Sequence, residues 1–249
     1  MLSYSVSKTN MLKSEEKLTE AQKEISTHGL SVGHIVSKRH PKMKPFLSGV
    51  KGGVDIINPA KTESSLEKAL DFIKDVAAAG KLILVVGTKM QAKEFVEDIG
   101  ITCNIPYINE RWLGGTISNF DIIKKRVSHL KSLEKQKADG SLEKYTKKER
   151  VKIDKEMVKL NAKFGGMKNL DRTPDVIIVL DMKADKLAIK EANEKGIKVV
   201  AIADSNVDPT KADWPIYASD DSVASIKYIA NKIKDVIFRY KPAASAVSK

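Results

Sequence analysis

A single cysteine, Cys103, in 249 residues excludes an internal disulfide, and with it any fold that relies on covalent staples. Cys103 stands just before the apolar run Ile105 to Ile108, where it reads as a small buried hydrophobe. No apolar run approaches the roughly 20 residues that cross a bilayer. Met1 to Lys13 has Ser and Lys but neither an apolar signal core nor an arginine, which argues against a secretory signal and weakens a mitochondrial presequence. The reading is a soluble, cytoplasmic protein with no membrane partner, an organellar home being left open.

Recognisable catalytic chemistry is also missing. His28, His34, His40 and His129 have no metal-ligand spacing and no adjacent nucleophile in an identifiable motif. Val86-Gly87-Thr88-Lys89 follows a strand and opens a helix, yet it is neither a GxGxxG fingerprint nor a GxxxxGK[ST] loop. Asp204-Ser205-Asn206-Val207-Asp208-Pro209 offers two carboxylates to a hard cation, but Asx-turn chemistry accounts for the same residues. We therefore expect no catalytic residue, cofactor, metal or small-molecule substrate. A nucleotide-dependent α/β enzyme, with a mononucleotide near Gly87 or Asp204, is the competing reading.

What the chain has is positive charge, unevenly placed. The formal net charge is +12. His34 to Lys61 holds six basic residues and one acidic, and Ile117 to Lys168 holds fifteen and seven, so the remainder is close to neutral. Segregated charge of this kind suits a polyphosphate partner.

With 42% hydrophobic residues the chain can bury a sizeable core. Val54 to Ile57, Leu82 to Val86, Ile105 to Ile108, Val176 to Leu180 and Ile197 to Ile202 are continuous apolar runs, the signature of parallel strands buried on both faces. Helical periodicity fills Ser65 to Ala79 behind a Ser64/Glu67 capping box, Met90 to Asp98, Ala184 to Lys195 and Ser222 to Tyr240. This predicts an α/β fold with a doubly wound, mainly parallel sheet. Between Thr116 and Pro174, Phe120, Ile123, Val127 and Leu130 and then Ile153, Met157, Leu160 and Phe164 repeat at three and four residues around Ala138-Asp139-Gly140. Two narrow apolar stripes facing each other predict an antiparallel coiled-coil hairpin inserted in the sheet domain. The expected division is an N-terminal extension, 1–13; an α/β core, 14–116 and 169–241; the hairpin, 117–168; and a flexible tail, 242–249.

Three places are candidate RNA contacts. In Arg111-Trp112-Leu113-Gly114-Gly115-Thr116, Arg111 supplies a forked phosphate donor and Trp112 a stacking face. Gly114 and Gly115 bring bare amides to a helix entrance; a tight turn with Trp112 filling the core explains the same spacing. Lys38, Arg39, Lys42 and Lys44, with Lys61 beyond them, lie on or near a loop that Pro41 and Pro45 hold extended. Phe46, in the same loop, reads as core. On the hairpin Lys124, Lys125, Arg126, Lys131, Lys147 and Lys148 lead the outward cations, which include Lys135, Arg150, Lys152, Lys155, Lys159 and Lys163.

These residues resemble those of the bacterial-type second protein of the small ribosomal subunit. The likeness runs from about Leu18 to about Tyr240. Its most specific blocks are Pro41-Lys42-Met43-Lys44-Pro45-Phe46 and Asn109 with Arg111-Trp112-Leu113-Gly114-Gly115-Thr116; Gly33-His34, Gly165-Gly166-Met167, Ala188-Ile189-Lys190-Glu191-Ala192 and Asp204-Ser205-Asn206 follow in order. The resemblance implies a flavodoxin- or Rossmann-like sheet with a protruding coiled-coil hairpin and a structural, non-catalytic place in the ribosome. It further implies contact with small-subunit rRNA and neighbouring proteins, and help in attaching the mRNA-binding first protein of that subunit. Ser31-Val32 replaces the family's usual His-Phe and His40 its usual Asn, so a role for paired histidines does not carry over.

Overall fold

The computed structural model of the chain describes residues 19–242; the expected extension and all of the tail but Pro242 lie outside them. Helix α1 (Glu20–Thr27) opens the fold under a complete capping box between Thr19 and Gln22. A small antiparallel sheet follows, with β1 (Val32–Ile35), β2 (Leu47–Lys51) and β3 (Val54–Ile57) in the order β1-β3-β2. The expectation that Val54 to Ile57 is a parallel core strand is thereby corrected: only Asp55 and Ile57 of β3 are buried. A strand half-exposed on one face belongs to an antiparallel sheet open to water.

Helix α2 (Pro59–Ala78) starts earlier than the Ser64/Glu67 box suggests. Asn58 caps it, accepting hydrogen bonds from the Ala60 and Lys61 amides, and Pro59 sits where a missing N–H costs nothing. Then come β4 (Ile83–Val86), α3 (Lys93–Thr102), β5 (Tyr107–Ile108), α4 (Phe120–Ala138), α5 (Lys147–Phe164), β6 (Val176–Val179), α6 (Lys186–Glu194), β7 (Lys198–Ala203), β8 (Trp214–Tyr217) and α7 (Val223–Tyr240). The main sheet runs β5-β4-β6-β7-β8 with every pairing parallel. The strand order inverts between β4 and β6, which makes their carboxyl ends the switch point of a flavodoxin-like doubly wound sheet.

Strand side chains alternate between two buried clusters. Ile83, Val85, Ile178, Val200 and Ile202 meet α2, α3 and α7 on one face. Leu84, Val86, Ile177, Val179, Val199 and Ala201 meet the other group of elements. That second group contains α6 and also the base of the long insertion: Ile123, Val127 and Leu130 of α4, with Phe164 of α5 and Met167 after it. The α4 stripe is therefore not turned only toward α5, as the spacing suggested; it closes one side of the sheet. Ile153, Met157 and Leu160 of α5 stay half-buried.

Candidate nucleic-acid interface

The Arg111–Thr116 turn is built around a carboxylate of the protein itself. Glu191, on α6 and only 4% exposed, accepts hydrogen bonds from the amides of Gly115 at 2.9 Å, Ile117 at 3.0 Å and Ser118 at 3.1 Å. The Trp112 indole and the Ser118 hydroxyl each donate to it at 3.2 Å. Burial opposes ionisation, but the Ser118, Gly115 and Ile117 amides outweigh it and hold the Glu191 carboxyl below its usual range. Gly115, at φ +91°, gives the turn its left-handed step. The amide nest expected to meet a phosphate is thus filled from within. Trp112, 7% exposed, packs against the second cluster and does not present its ring. Arg111 and Gly114 remain exposed, and among the described residues the Arg111 side chain has no partner.

The Pro41–Phe46 segment is a 3₁₀ helix rather than an extended loop. Pro41 occupies its first turn, His40 accepts from the Lys42 amide, and Met43 is fully buried. Proline tolerates a helix start, so the residue constraint was real but pointed to the wrong element. Phe46 is half-buried and stacks on Tyr217 with centroids 3.9 Å apart, so its ring lies against its own domain but outside both buried clusters. The cations divide. Arg39 forks onto Asp55, a carboxylate with no exposed surface, and so serves the fold. Lys42 reaches Asp208 at 2.7 Å and Thr210 at 2.9 Å from an exposed position. Lys38, Lys44 and Lys61 are exposed, with no ion-pair partner among the described residues.

On α4 and α5, Lys124, Lys125, Arg126, Lys131, Lys147 and Lys148 all face solvent. The ion pairs of this region are Lys137 with Asp154, His129 with Glu156 and Lys168 with Glu134. None of the six uses an acidic neighbour among the described residues.

At the switch point the strand ends are acidic. Gly87 turns so close to Val96 that a Cβ there would lie 2.7 Å from it. Thr88 donates to Asp185 from its amide and its hydroxyl, and the Lys89 ammonium contacts Asp220 at 2.8 Å, Asp221 at 2.7 Å and Asp181 at 3.2 Å. A carboxylate-lined edge with its lysine already engaged repels a nucleotide phosphate. Asp208 caps a short turn by accepting from Thr210, as turn chemistry predicts, while Asp204 faces His34 at 3.2 Å.

The family model described as ribosomal protein S2 matches residues 26–239. The chain belongs to the ribosomal protein S2 family. It is 43% identical to small ribosomal subunit protein uS2 of Roseiflexus sp. (strain RS-1) over 207 residues, 83% of this chain and 79% of that one. To the uS2 of Koribacter versatilis (strain Ellin345) it is 40% identical over 215 residues, 86% and 71% of the two chains. To that of Dictyoglomus thermophilum it is 39% identical over 219 residues, 88% and 89%. The S2 family is structural and not enzymatic, which decides between the two readings left open by the residues. Glu191, the anchor of the Arg-Trp-Leu-Gly-Gly-Thr turn, escaped the reading of single motifs because its partners stand 73 to 79 positions earlier.

Proposed function

We propose that this chain is a structural component of the small ribosomal subunit, holding rRNA through the exposed cations of α4 and α5 with Arg111, Lys38, Lys42, Lys44 and Lys61. The observation that carries the reading is the set of six hairpin cations without acidic partners. Lysines spread over two helices suit a phosphate backbone, which is contacted by charge rather than by base edges. Lys42 fits the same role through a switch of partner: a phosphate takes the ammonium from Asp208 on an exposed surface. Trp112, Gly115 and Arg39 act behind the surface by fixing the turn and the small sheet. Help in attaching the mRNA-binding first protein rests on the family resemblance.

Two measurements test this. A tagged chain in cell lysate should sediment with small subunits. Affinity of the purified chain for small-subunit rRNA should fall steeply with salt, the log–log slope being about −0.7 to −0.9 for each phosphate neutralised. Binding that ignores salt, or a chain that stays free of subunits, overturns the reading.

A further inference from the structure

We propose that the groove between α6 and the loop after β7 takes one unpaired nucleotide of the RNA, its base on an apolar floor and its phosphates on a lysine rim. The inference rests on the rRNA reading above and adds a base contact to what the hairpin does by charge. The groove has a volume of about 590 Å³, within the range of small-ligand pockets. Met182, Leu187, Ile189 and Val207 line its apolar part. Three of these are buried, whereas Leu187 on α6 is 42% exposed.

Asn206 in the wall decides what kind of ligand fits. Its Nδ2 and Oδ1 are both buried, and neither has a hydrogen-bond partner among the described residues. An amide left with a free donor beside a free acceptor is costly inside a protein. A nucleobase carries a donor and an acceptor side by side on its edge, and an asparagine amide meets them bidentately. An apolar side chain of a protein partner would cover the floor and leave Asn206 unmatched. His40 also lines the groove, half-buried, with its Nδ1 turned to the Lys42 amide at 3.3 Å; a ring fixed in this way offers a base a stacking face.

The rim has the charge that a nucleotide needs. Lys183, Lys186, Lys190 and Lys211 stand around the groove, all exposed. Its acidic residues are Glu194, 3.8 Å from Lys190, and Asp208, already held by Lys42 and Thr210. The balance is positive, which suits a phosphodiester and is opposite in sign to the edge around Lys89. The groove also adjoins the proposed contact surface. A Cβ on Gly114 would stand 3.9 Å from Leu187, so the turn that carries Arg111 borders the floor, and Asp208 brings Lys42 to the rim. A strand held by both cations runs beside the opening.

The test uses the full chain and three probes: a five-nucleotide oligoadenylate, an abasic oligomer of the same length and charge, and AMP. At fixed salt the oligoadenylate should bind at least fivefold more tightly than the abasic oligomer, and AMP should bind most weakly. Asn206→Leu and Leu187→Gln keep the net charge, and each should weaken oligoadenylate binding at least threefold. Neither should lower the melting temperature, since the first removes an unsatisfied amide and the second alters an exposed side chain. Should Asn206→Leu fail to fold, Leu187→Gln and the wild-type comparison still decide. Equal binding of the oligoadenylate and the abasic oligomer, or variants that bind like wild type, would overturn the base site and leave the groove to an apolar protein segment. AMP binding as tightly as the oligoadenylate would overturn it too, because the ligand would then be a free nucleotide. The hairpin reading is tested separately by the salt slope of rRNA affinity, which Asn206→Leu should leave unchanged.

Discussion

Glu191 and Trp112 bind each other inside the protein while Arg111, one residue away, points out, so neighbouring substitutions should have opposite consequences. Trp112→Ala removes a buried ring and should cost about 3–5 kcal/mol of folding stability. Glu191→Gln replaces one of two acceptor oxygens by an NH₂, which then faces either the Trp112 and Gly115 N–H groups that Oε1 serves or the Ile117 and Ser118 donors that Oε2 serves. Losing charge-assisted bonds of this kind costs about 1.5–3 kcal/mol. Arg111→Ala should stay within about 0.5 kcal/mol of wild type in stability and lower affinity for small-subunit rRNA. Urea midpoints on the three variants, with a binding assay on those that fold, separate the roles; a large stability loss for Arg111→Ala with binding intact would remove Arg111 from the interface. The cation, the ring and the two glycines were all legible in a six-residue window. The carboxylate that organises them was not, because a contact between residues 112 and 191 leaves no trace in local spacing.

At the scale of elements, the insertion is both a surface and a lid on the core. Ile123, Val127, Leu130 and Phe164 share a buried cluster with Leu84, Val86 and Val179, and each such side chain contributes about 1.5–3 kcal/mol by leaving water. Replacing residues 121–162 by a short Gly/Ser linker should therefore abolish cooperative unfolding. Replacing only 134–153, beyond Leu130, should leave a folded protein with weakened rRNA binding. Calorimetry of the two deletions checks this, and a cooperative melt for the longer one would show that the helices are dispensable to the core. The seam where the insertion rejoins the sheet is tight: a Cβ on Gly166 would stand 2.3 Å from the Tyr107 carbonyl oxygen, backbone of the edge strand. Gly166→Ala should cost about 1–3 kcal/mol, as overpacking does, read as a lowered melting temperature. Periodicity was enough to find α4 and α5, since a stripe at three and four residues is a local property. It was silent on whether the stripe meets another helix or a sheet. Similarly β8, mostly half-buried at the sheet edge, carries Pro215 inside its short apolar run Trp214 to Tyr217, and a proline argues locally against a strand, while the fully buried β4 and β6 stood out.

The whole molecule separates its charges by sign, with lysines on the insertion and carboxylates at the strand ends, and the two poles respond to different variables. Salt screens the first. Acid acts on the second in two opposing ways. Lys42 and Thr210 outweigh burial at Asp208 and lower its carboxyl to about 2. A group whose folded pKa is depressed adds stability above its unfolded value, near 4, and that stability is lost as pH falls toward 2. Asp185 behaves in the opposite sense: burial raises it to about 6 against the two Thr88 hydrogen bonds. Between pH 4 and 6 the folded state then holds a proton that the unfolded chain has released, so this group's contribution to stability declines as pH rises through that window. Asp208→Asn should accordingly flatten the acid limb of the stability curve between pH 4 and 2. Asp185→Asn should flatten the decline between pH 4 and 6, even though the amide cannot reproduce both bonds from Thr88 and lowers the curve as a whole. Urea denaturation at fixed salt across pH 2 to 8 measures both slopes independently of the absolute stabilities. Variants that shift the curve without changing either slope would mean that the two carboxyls keep their ordinary pKa values in the folded chain.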